Sequence, residues 1–226
     1  MLGAWFTTAI TLLAAMAFAW ASAATWSRRA REMSLFYGGV SVFLFTGGMR
    51  QVAGLAGADV ADKALFQALL VPAAIPIIFL VAMAGRARTG RHHAPTIALW
   101  CAAIAIGLWH AYWQGLEGPF RSSWGTEYRL RSEVTRWILI LFVTLPGLVI
   151  GAWTWNAGRR LTDGHGSRLR WVGISVFVYY GAFTIDALAP RGVSLLLTRL
   201  ATLIVGLAVA WAYHRSDAQA PASAPS

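Results

Sequence analysis

Charged residues are grouped in short segments of this chain and leave long apolar runs between them. Six runs contain no Asp, Glu, Lys or Arg, and a seventh, near the C-terminus, contains only Arg199. A helix that crosses a bilayer needs about 20 mainly apolar residues, and each run approaches or exceeds that length. The pattern therefore predicts an all-α polytopic membrane protein, a bundle of seven transmembrane helices. The predicted spans are 3–26, 33–50, 64–85, 95–116, 137–157, 170–188 and 192–213.

The composition agrees with a membrane location. Hydrophobic residues make up 58% of the chain, its mean hydropathy is +0.57, and only 12% of its residues are charged. Soluble domains carry about 25% charged residues, so this chain has about half the usual share. The lipid bilayer is therefore the first predicted partner. The single cysteine, Cys101, cannot form an intramolecular disulfide.

Basic residues are distributed unequally between the two sets of loops. One set, together with the C-terminal tail, holds 11 basic and 3 acidic residues, whereas the other set holds 7 basic and 6 acidic residues. Basic residues are retained on the cytoplasmic side during insertion. We therefore predict that the N-terminus lies outside and the C-terminus in the cytoplasm, in a bacterial-type cytoplasmic (inner) membrane. The net charge of +10 is then an orientation signal, and we expect no nucleic-acid partner.

Two stretches of the chain echo each other. GVSVFLFTGG at 39–48 resembles GISVFVYYGA at 173–182, and both fall in helices that follow an arginine-rich loop. They would be the second helices of two parallel three-helix repeats, 1–90 and 136–215, joined by a linker helix at 95–116. The alternative explanation is that apolar helices share a small set of residue types.

The transmembrane domain is predicted to occupy 1–215. The remaining residues, 216–226, are rich in Ala, Pro and Ser and are predicted to be disordered. The longest loop, 117–136, carries Pro and Gly followed by a charged stretch, which favours a short surface helix. We expect this loop to cover the outer mouth of the bundle.

The 3+1+3 order of helices with an outer N-terminus is similar in topology to the SWEET sugar transporters. The Pro-Gln signature of the related PQ-loop proteins is absent from the sequence, and prolines lie instead in the third and fifth helices, as Pro72, Pro76 and Pro146. No functional residue is therefore carried over from that family. A seven-helix bundle in this orientation also resembles bacterial membrane sensor modules.

Arg199 is the clearest ionisable group within a predicted span. Charged groups in the bilayer are costly and commonly functional. Asp186 lies near the outer end of the sixth predicted helix, across a short turn, where a long arginine side chain can reach it. The pair would either lock the last two helices together or bind an anionic or polar ligand. Alternatively, the side chain of Arg199 extends outward to the membrane surface.

A second group of polar residues begins at His110 in the fourth predicted helix. Spacings of 3, 4 and 7 residues place Trp113, Gln114 and Glu117 on the same helical face. With residues of neighbouring helices, this face would line an outward-open polar cavity, unless the histidine only hydrogen-bonds an adjacent helix. The predicted lining of the cavity is His110, Gln114, Glu117, Gln67, Tyr179 and Tyr180.

These groups favour a small transporter or permease that moves a small polar solute through a cavity between the two repeats. The alternative is a membrane sensor, a receptor or an accessory subunit of a membrane complex, in which the polar residues only pack helices. A homo-oligomer or a membrane-protein partner would fit either function. An intramembrane enzyme is the third alternative, for which the sequence shows no recognisable catalytic set. The histidines have no ligand spacing, so we predict no cofactor and no metal site.

Overall fold

The computed structural model describes residues 2–27, 30–90, 94–162, 164–188 and 193–218. Within these residues the chain forms seven helices and one β-hairpin. The helices are α1 (Leu2–Ser27), α2 (Arg31–Leu55), α3 (Asp59–Thr89), α4 (Ala94–Gln114), α5 (Glu133–Arg159), α6 (Gly164–Leu188) and α7 (Val193–Ala218). The hairpin consists of β1 (Leu116–Ser122) and β2 (Gly125–Leu130), which pair antiparallel.

Five helices, α1, α3, α4, α5 and α7, are long and apolar enough to cross a membrane. This agrees with the predicted all-α, multi-pass membrane protein. The other two helices are more polar, since α2 for example includes Arg31, Glu32 and Arg50. The predicted count of seven spans and the predicted orientation therefore rest on the sequence pattern.

Six of the helices form a ring, and α4 lies on its outside. α2 packs between α1 and α3, α6 packs between α5 and α7, and contacts of α1 with α7 and of α3 with α5 complete the ring. α4 contacts α3 and α5. The two predicted three-helix groups thus occupy separate halves of the ring.

Aromatic side chains join α2 to α6. The rings of Phe36 and Phe43 both make edge contacts with Tyr179, with centroids 6.1 and 5.9 Å apart. The hydroxyl of Tyr37 lies 3.1 Å from the hydroxyl of Ser175, and both residues are fully buried. These contacts fix the spacing of the two central helices.

The two echoing stretches lie in these central helices but bury different positions. Val42 is 55% exposed, whereas Val176, its counterpart in the alignment, is fully buried. Phe43 is buried, whereas its counterpart Phe177 is 48% exposed. The internal repeat stays a prediction, and burial at these aligned positions does not support a residue-by-residue equivalence.

A π-helical turn, Leu139–Thr144, interrupts α5. Pro146 follows it, and a proline has no N–H to donate to the carbonyl four residues before it. That carbonyl belongs to Phe142, and it accepts a hydrogen bond of 2.8 Å from the indole Nε1 of Trp100 in α4. The irregular turn thus provides an attachment point for the peripheral helix.

The loop that was expected to contain a short surface helix forms the β-hairpin instead, so that prediction is wrong. In β2, Thr126 and Tyr128 are buried, whereas Glu127 and Arg129 are more exposed. This alternation is typical of a strand with one covered face. Gly125 begins β2 at a φ of 145°, which a glycine adopts without strain.

The hairpin lies across the end of the ring that the charge pattern places outside. β2 contacts α1 and α2, and β1 contacts α3. A Cβ atom added at Gly3 would lie 2.9 Å from the backbone oxygen of Ser123, so the hairpin turn rests on the start of α1. The loop therefore covers the end of the first three helices.

Candidate functional site

Arg50 and Gln51 form a buried polar segment near the end of α2. The sequence pattern predicted a span that ends at Arg50, but α2 continues to Leu55. Both residues consequently lie beneath β2, where they are 6% and 5% exposed. A charged residue in such a position requires partners, because burial of an unpaired charge is costly.

Two oxygen groups face the guanidinium of Arg50. Its Nη2 donates a hydrogen bond of 2.5 Å to the backbone oxygen of Thr126, and its Nη1 lies 3.6 Å from Oδ1 of Asp62. Asp62, in the first turn of α3, is completely buried. The ion pair therefore joins α2 to α3 directly beneath the hairpin.

Two aromatic rings flank the same guanidinium. Cζ of Arg50 lies 5.2 Å from the ring centroid of Phe66 and 5.9 Å from that of Tyr128. Rings at such distances attract a cation through their π-faces. Burial raises the pKa of Tyr128, and the charge of Asp62 raises it further, so the phenol stays protonated at neutral pH.

Gln51 holds the hairpin in place. Its Nε2 donates to the backbone oxygen of Thr126, and its Oε1 accepts from the backbone N–H of the same residue, both at 3.0 Å. A Cβ atom at Gly125 would lie 2.9 Å from Cδ of Gln51, which is closer than real Cβ atoms approach. The glycine thus allows the amide to bind the strand backbone.

Among the described residues, four buried polar atoms at this position have no hydrogen-bond partner: Arg50 Nη1, both carboxylate oxygens of Asp62, and Oγ1 of Thr126. Such an atom costs about 1–3 kcal/mol, and more when it is charged. A cationic donor beside an anionic acceptor fits water, or a small ligand that carries both a donor and an acceptor. We refer to Arg50, Gln51, Asp62 and Thr126 as the outer polar site.

Arg199, the clearest site residue predicted from the sequence, is half-buried in α7. Its positive charge is close enough to Arg50 to act on it electrostatically. The structure thus brings Arg199 toward the outer polar site. The side chain of Asp186 lies outside the described residues, so the pairing of Arg199 with Asp186 stays a prediction.

The predicted polar face of α4 ends earlier than expected. α4 stops at Gln114, because Gly115 turns the chain with a φ of 73°. Glu117 lies in β1, where it is exposed and 3.8 Å from Arg131, so its predicted place on the helical face is wrong. His110 is half-buried, and Gln114 is exposed.

The other residues predicted to line the cavity lie in two different regions. Tyr179 and Tyr180 are buried, with ring centroids 5.0 Å apart, and contact α2. Gln67, in α3, accepts a hydrogen bond of 2.8 Å from Tyr112 at its backbone oxygen. A cavity common to all of these residues stays a prediction.

The sequence pattern did not predict the outer polar site, because it ends the second span at Arg50 and places Asp62 in the following loop. A signal was present, since Gln51 follows Arg50 directly at the end of an apolar run. The alternation of Thr126 and Tyr128 with charged residues also indicated a strand with one covered face. The contact of Thr126 with Arg50 and Gln51, however, depends on how the hairpin folds back over α2.

No protein-family model matches this chain, and no curated protein or solved structure is significantly similar to it. Among the residues that the structure describes, no three His, Cys, Asp or Glu side chains are grouped so that they could hold a metal ion. The outer polar site is therefore interpreted from its own chemistry.

Proposed function

We propose that this protein is a membrane permease for a small polar solute, and that the solute binds first at the outer polar site. The observation that carries the proposal is the charged pair Arg50 and Asp62, buried in an apolar bundle with polar atoms that have no hydrogen-bond partner within the described part of the chain. Ionisable groups in membrane bundles commonly mark solute or ion pathways. The position near the predicted outer end suits a solute that enters from outside.

The hairpin acts as the outer gate of this permease. Gln51 and Arg50 bind the backbone of Thr126 through three hydrogen bonds. A hydrogen bond contributes about 0.5–1.5 kcal/mol net, so a solute that replaces some of these bonds can offset the cost of opening. Release of Thr126 would lift β2 and expose the charged pair to water.

The site favours a solute that carries both charges. Arg50 Nη1 offers a cationic donor, and the two oxygens of Asp62 offer anionic acceptors. A solute with one charge would leave one member of the pair without compensation, which is costly in a buried site. We therefore propose small zwitterions as the preferred class.

The path inward from the site runs between α2 and α6. Phe43 lies about 10 Å before Arg50 along α2, at about 1.5 Å per residue. The ring of Phe43 contacts the ring of Tyr179, at 5.9 Å between centroids, and this contact blocks the path at the next level inward. The hydroxyls of Tyr37 and Ser175 form a polar layer further inward. Aromatic layers between polar ones would prevent leakage of polar solutes when the gate is closed.

Uptake into proteoliposomes tests this function. The purified protein is reconstituted and supplied with four radiolabelled probes, namely L-alanine as a zwitterion, D-glucose as a neutral solute, acetate as an anion and choline as a cation. We expect uptake of L-alanine above that of protein-free liposomes, and loss of this uptake in Asp62→Asn protein that still elutes as a single folded species. Arg121→Gln, at an exposed position of the hairpin, is the matched control and should retain uptake.

Two outcomes of that experiment contradict different parts of the proposal. If no probe enters faster than into protein-free liposomes, transport is contradicted. If a probe other than L-alanine is the one that enters, the preference for zwitterions is contradicted while transport stands.

A membrane sensor is the second candidate, and the contacts between α2 and α6 favour it. The Tyr37–Ser175 hydroxyl contact and the Phe43–Tyr179 ring contact fasten two helices that a permease must move apart. In a sensor, the ligand would bind beneath the hairpin and shift only that segment. Thermal stabilisation of the protein by L-alanine without any uptake would support sensing over transport.

A further inference from the structure

A groove lies between α3, α4 and α5, on the side of the bundle away from the outer polar site. It has a volume of about 290 Å³. Its lining is mainly apolar and includes Val81, Ala84, Ile97, Trp100, Pro146 and Val149. The polar side chains in the lining, Arg88 and Thr96, are exposed. The groove therefore combines an apolar interior with a polar, positively charged edge.

The groove exists because α4 is loosely attached to the ring. Trp100 fastens α4 to the Phe142 carbonyl, which Pro146 leaves without its usual partner. The most apolar window of α4 is only 17% buried, the lowest share among the five helices able to cross a membrane. The rest of the described chain consequently leaves much of α4 uncovered.

Arg88 gives the edge of the groove its positive charge. Arg86, two residues earlier, forms an ion pair with Glu32, whereas Arg88 forms none among the residues that the structure describes. The charge pattern predicts that this end of α3 faces the cytoplasm, where anionic headgroups are abundant. An exposed arginine beside an apolar groove is complementary to an amphiphile with an anionic head.

We propose that this groove binds one anionic phospholipid of the inner leaflet. One acyl chain would lie against Val81 and Val149, and the phosphate would accept hydrogen bonds from the guanidinium of Arg88. Basic pockets between transmembrane helices on the cytoplasmic side are common binding sites for such headgroups. Small-molecule pockets start at about 300 Å³, so a groove of about 290 Å³ suits part of one chain, with the rest of the lipid in the bilayer.

Native mass spectrometry of the detergent-purified protein tests the proposal, with phosphatidylglycerol and phosphatidylcholine of equal chain length as probes. We expect the wild-type protein to prefer phosphatidylglycerol by about fivefold, the effect of about 1 kcal/mol from one arginine. Arg88→Gln should remove this preference. The matched control is Arg31→Gln, an exposed arginine at the same end of the bundle but outside the groove, and it should keep the preference.

A second variant separates the acyl chain from the headgroup. Val149→Trp adds bulk at a position that is 60% exposed, so it should fold while filling the groove and weakening the binding of both lipids. Retention of the phosphatidylglycerol preference in Arg88→Gln, or its equal loss in Arg31→Gln, would overturn the proposal. Thermal stabilisation by inorganic phosphate equal to that by phosphatidylglycerol would also overturn it, because it would assign Arg88 to a free anion.

Discussion

The guanidinium of Arg50 and the carboxylate of Asp62 face each other at 3.6 Å, both buried beneath the hairpin and between the helices that carry them. The distance is too long for a hydrogen bond, and both groups keep polar atoms that no described residue hydrogen-bonds. A pair with this geometry can bind a solute through donor and acceptor atoms that a tight salt bridge would occupy. It is the feature on which the proposed function rests.

Removal of one member of this pair should destabilise the protein far more than removal of both. Arg50→Met or Asp62→Leu leaves an uncompensated buried charge, and we expect a loss of about 3–5 kcal/mol for either. The double variant should lose less than either single variant, because no uncompensated charge remains, and thermal unfolding of all four proteins measures the coupling.

The exposed pair Arg121 and Asp59 is the matched control for that cycle. Its atoms lie 2.6 Å apart, but the two side chains are 57% and 47% exposed. Exposed pairs contribute about 0–1 kcal/mol, so Arg121→Met and Asp59→Leu should have small effects. Similar losses for the buried and the exposed pair would contradict the burial of Arg50 and Asp62.

Gln51→Leu should detach the hairpin. The substitution leaves the buried N–H of Thr126 without its acceptor, which costs about 1–3 kcal/mol. We expect faster hydrogen exchange in residues 116–130 and a lower unfolding temperature. Gln114→Leu, at an exposed position, is the control and should change stability by no more than about 0.5 kcal/mol.

Replacement of Trp100 should cost less stability when Pro146 is also replaced. Trp100→Phe removes the donor to the Phe142 carbonyl and should cost about 1–3 kcal/mol. Pro146→Ala restores a backbone N–H that can reach the same carbonyl, so Trp100→Phe should be milder in that background. Equal costs in both backgrounds, measured by thermal unfolding, would show that the indole only fills space.

Substitution by alanine should change the stability differently at two glycines of the second echoing stretch. A Cβ atom at Gly173 would lie 2.7 Å from the backbone oxygen of Gly151, so Gly173→Ala must force α5 and α6 apart, at about 1–3 kcal/mol. A Cβ atom at Gly181 meets no atom of the described residues within 4 Å, and Gly181→Ala should be neutral or stabilise by up to about 1 kcal/mol. Circular-dichroism melting curves of the two variants distinguish these responses.

The spacing of charges predicted the helices well but their ends poorly. The pattern predicts that an apolar helix ends at a charge. α2 nevertheless continues past Arg50 to Leu55, because the hairpin and Asp62 supply partners for the guanidinium. A local pattern cannot indicate such partners, which lie 12 and 76 residues further along the chain. The same reason explains why the outer polar site was not predicted.

The hairpin was missed because its charges and glycines were given more weight than its alternation. Thr126 and Tyr128 alternate with Glu127 and Arg129, a strand pattern short enough to be overlooked beside long apolar helices. The polar face of α4 was extended too far for a related reason. Helical spacing counts residues but does not detect the turn at Gly115 that ends the helix before Glu117.

The most direct test of the gate is a reversible disulfide between the hairpin and α2. Positions 54 and 126 are adjacent, because a Cβ atom at Gly54 would lie 2.8 Å from Cγ2 of Thr126, a methyl group that Thr126→Cys removes. The same Cβ atom would lie 2.8 Å from Oδ2 of Asp62, so each variant is compared only with itself before and after reduction. A disulfide joins Cβ atoms about 3.5–4.5 Å apart. The pair Gly54→Cys and Thr126→Cys is introduced together with Cys101→Ser, and L-alanine uptake is measured in proteoliposomes before and after reduction, with the two single-cysteine variants as controls. We predict that uptake is blocked in the oxidised protein and rises on reduction, while the single variants do not respond. Equal uptake by the oxidised and reduced double variant, with the disulfide verified by mass spectrometry, would contradict the role of the hairpin as a gate.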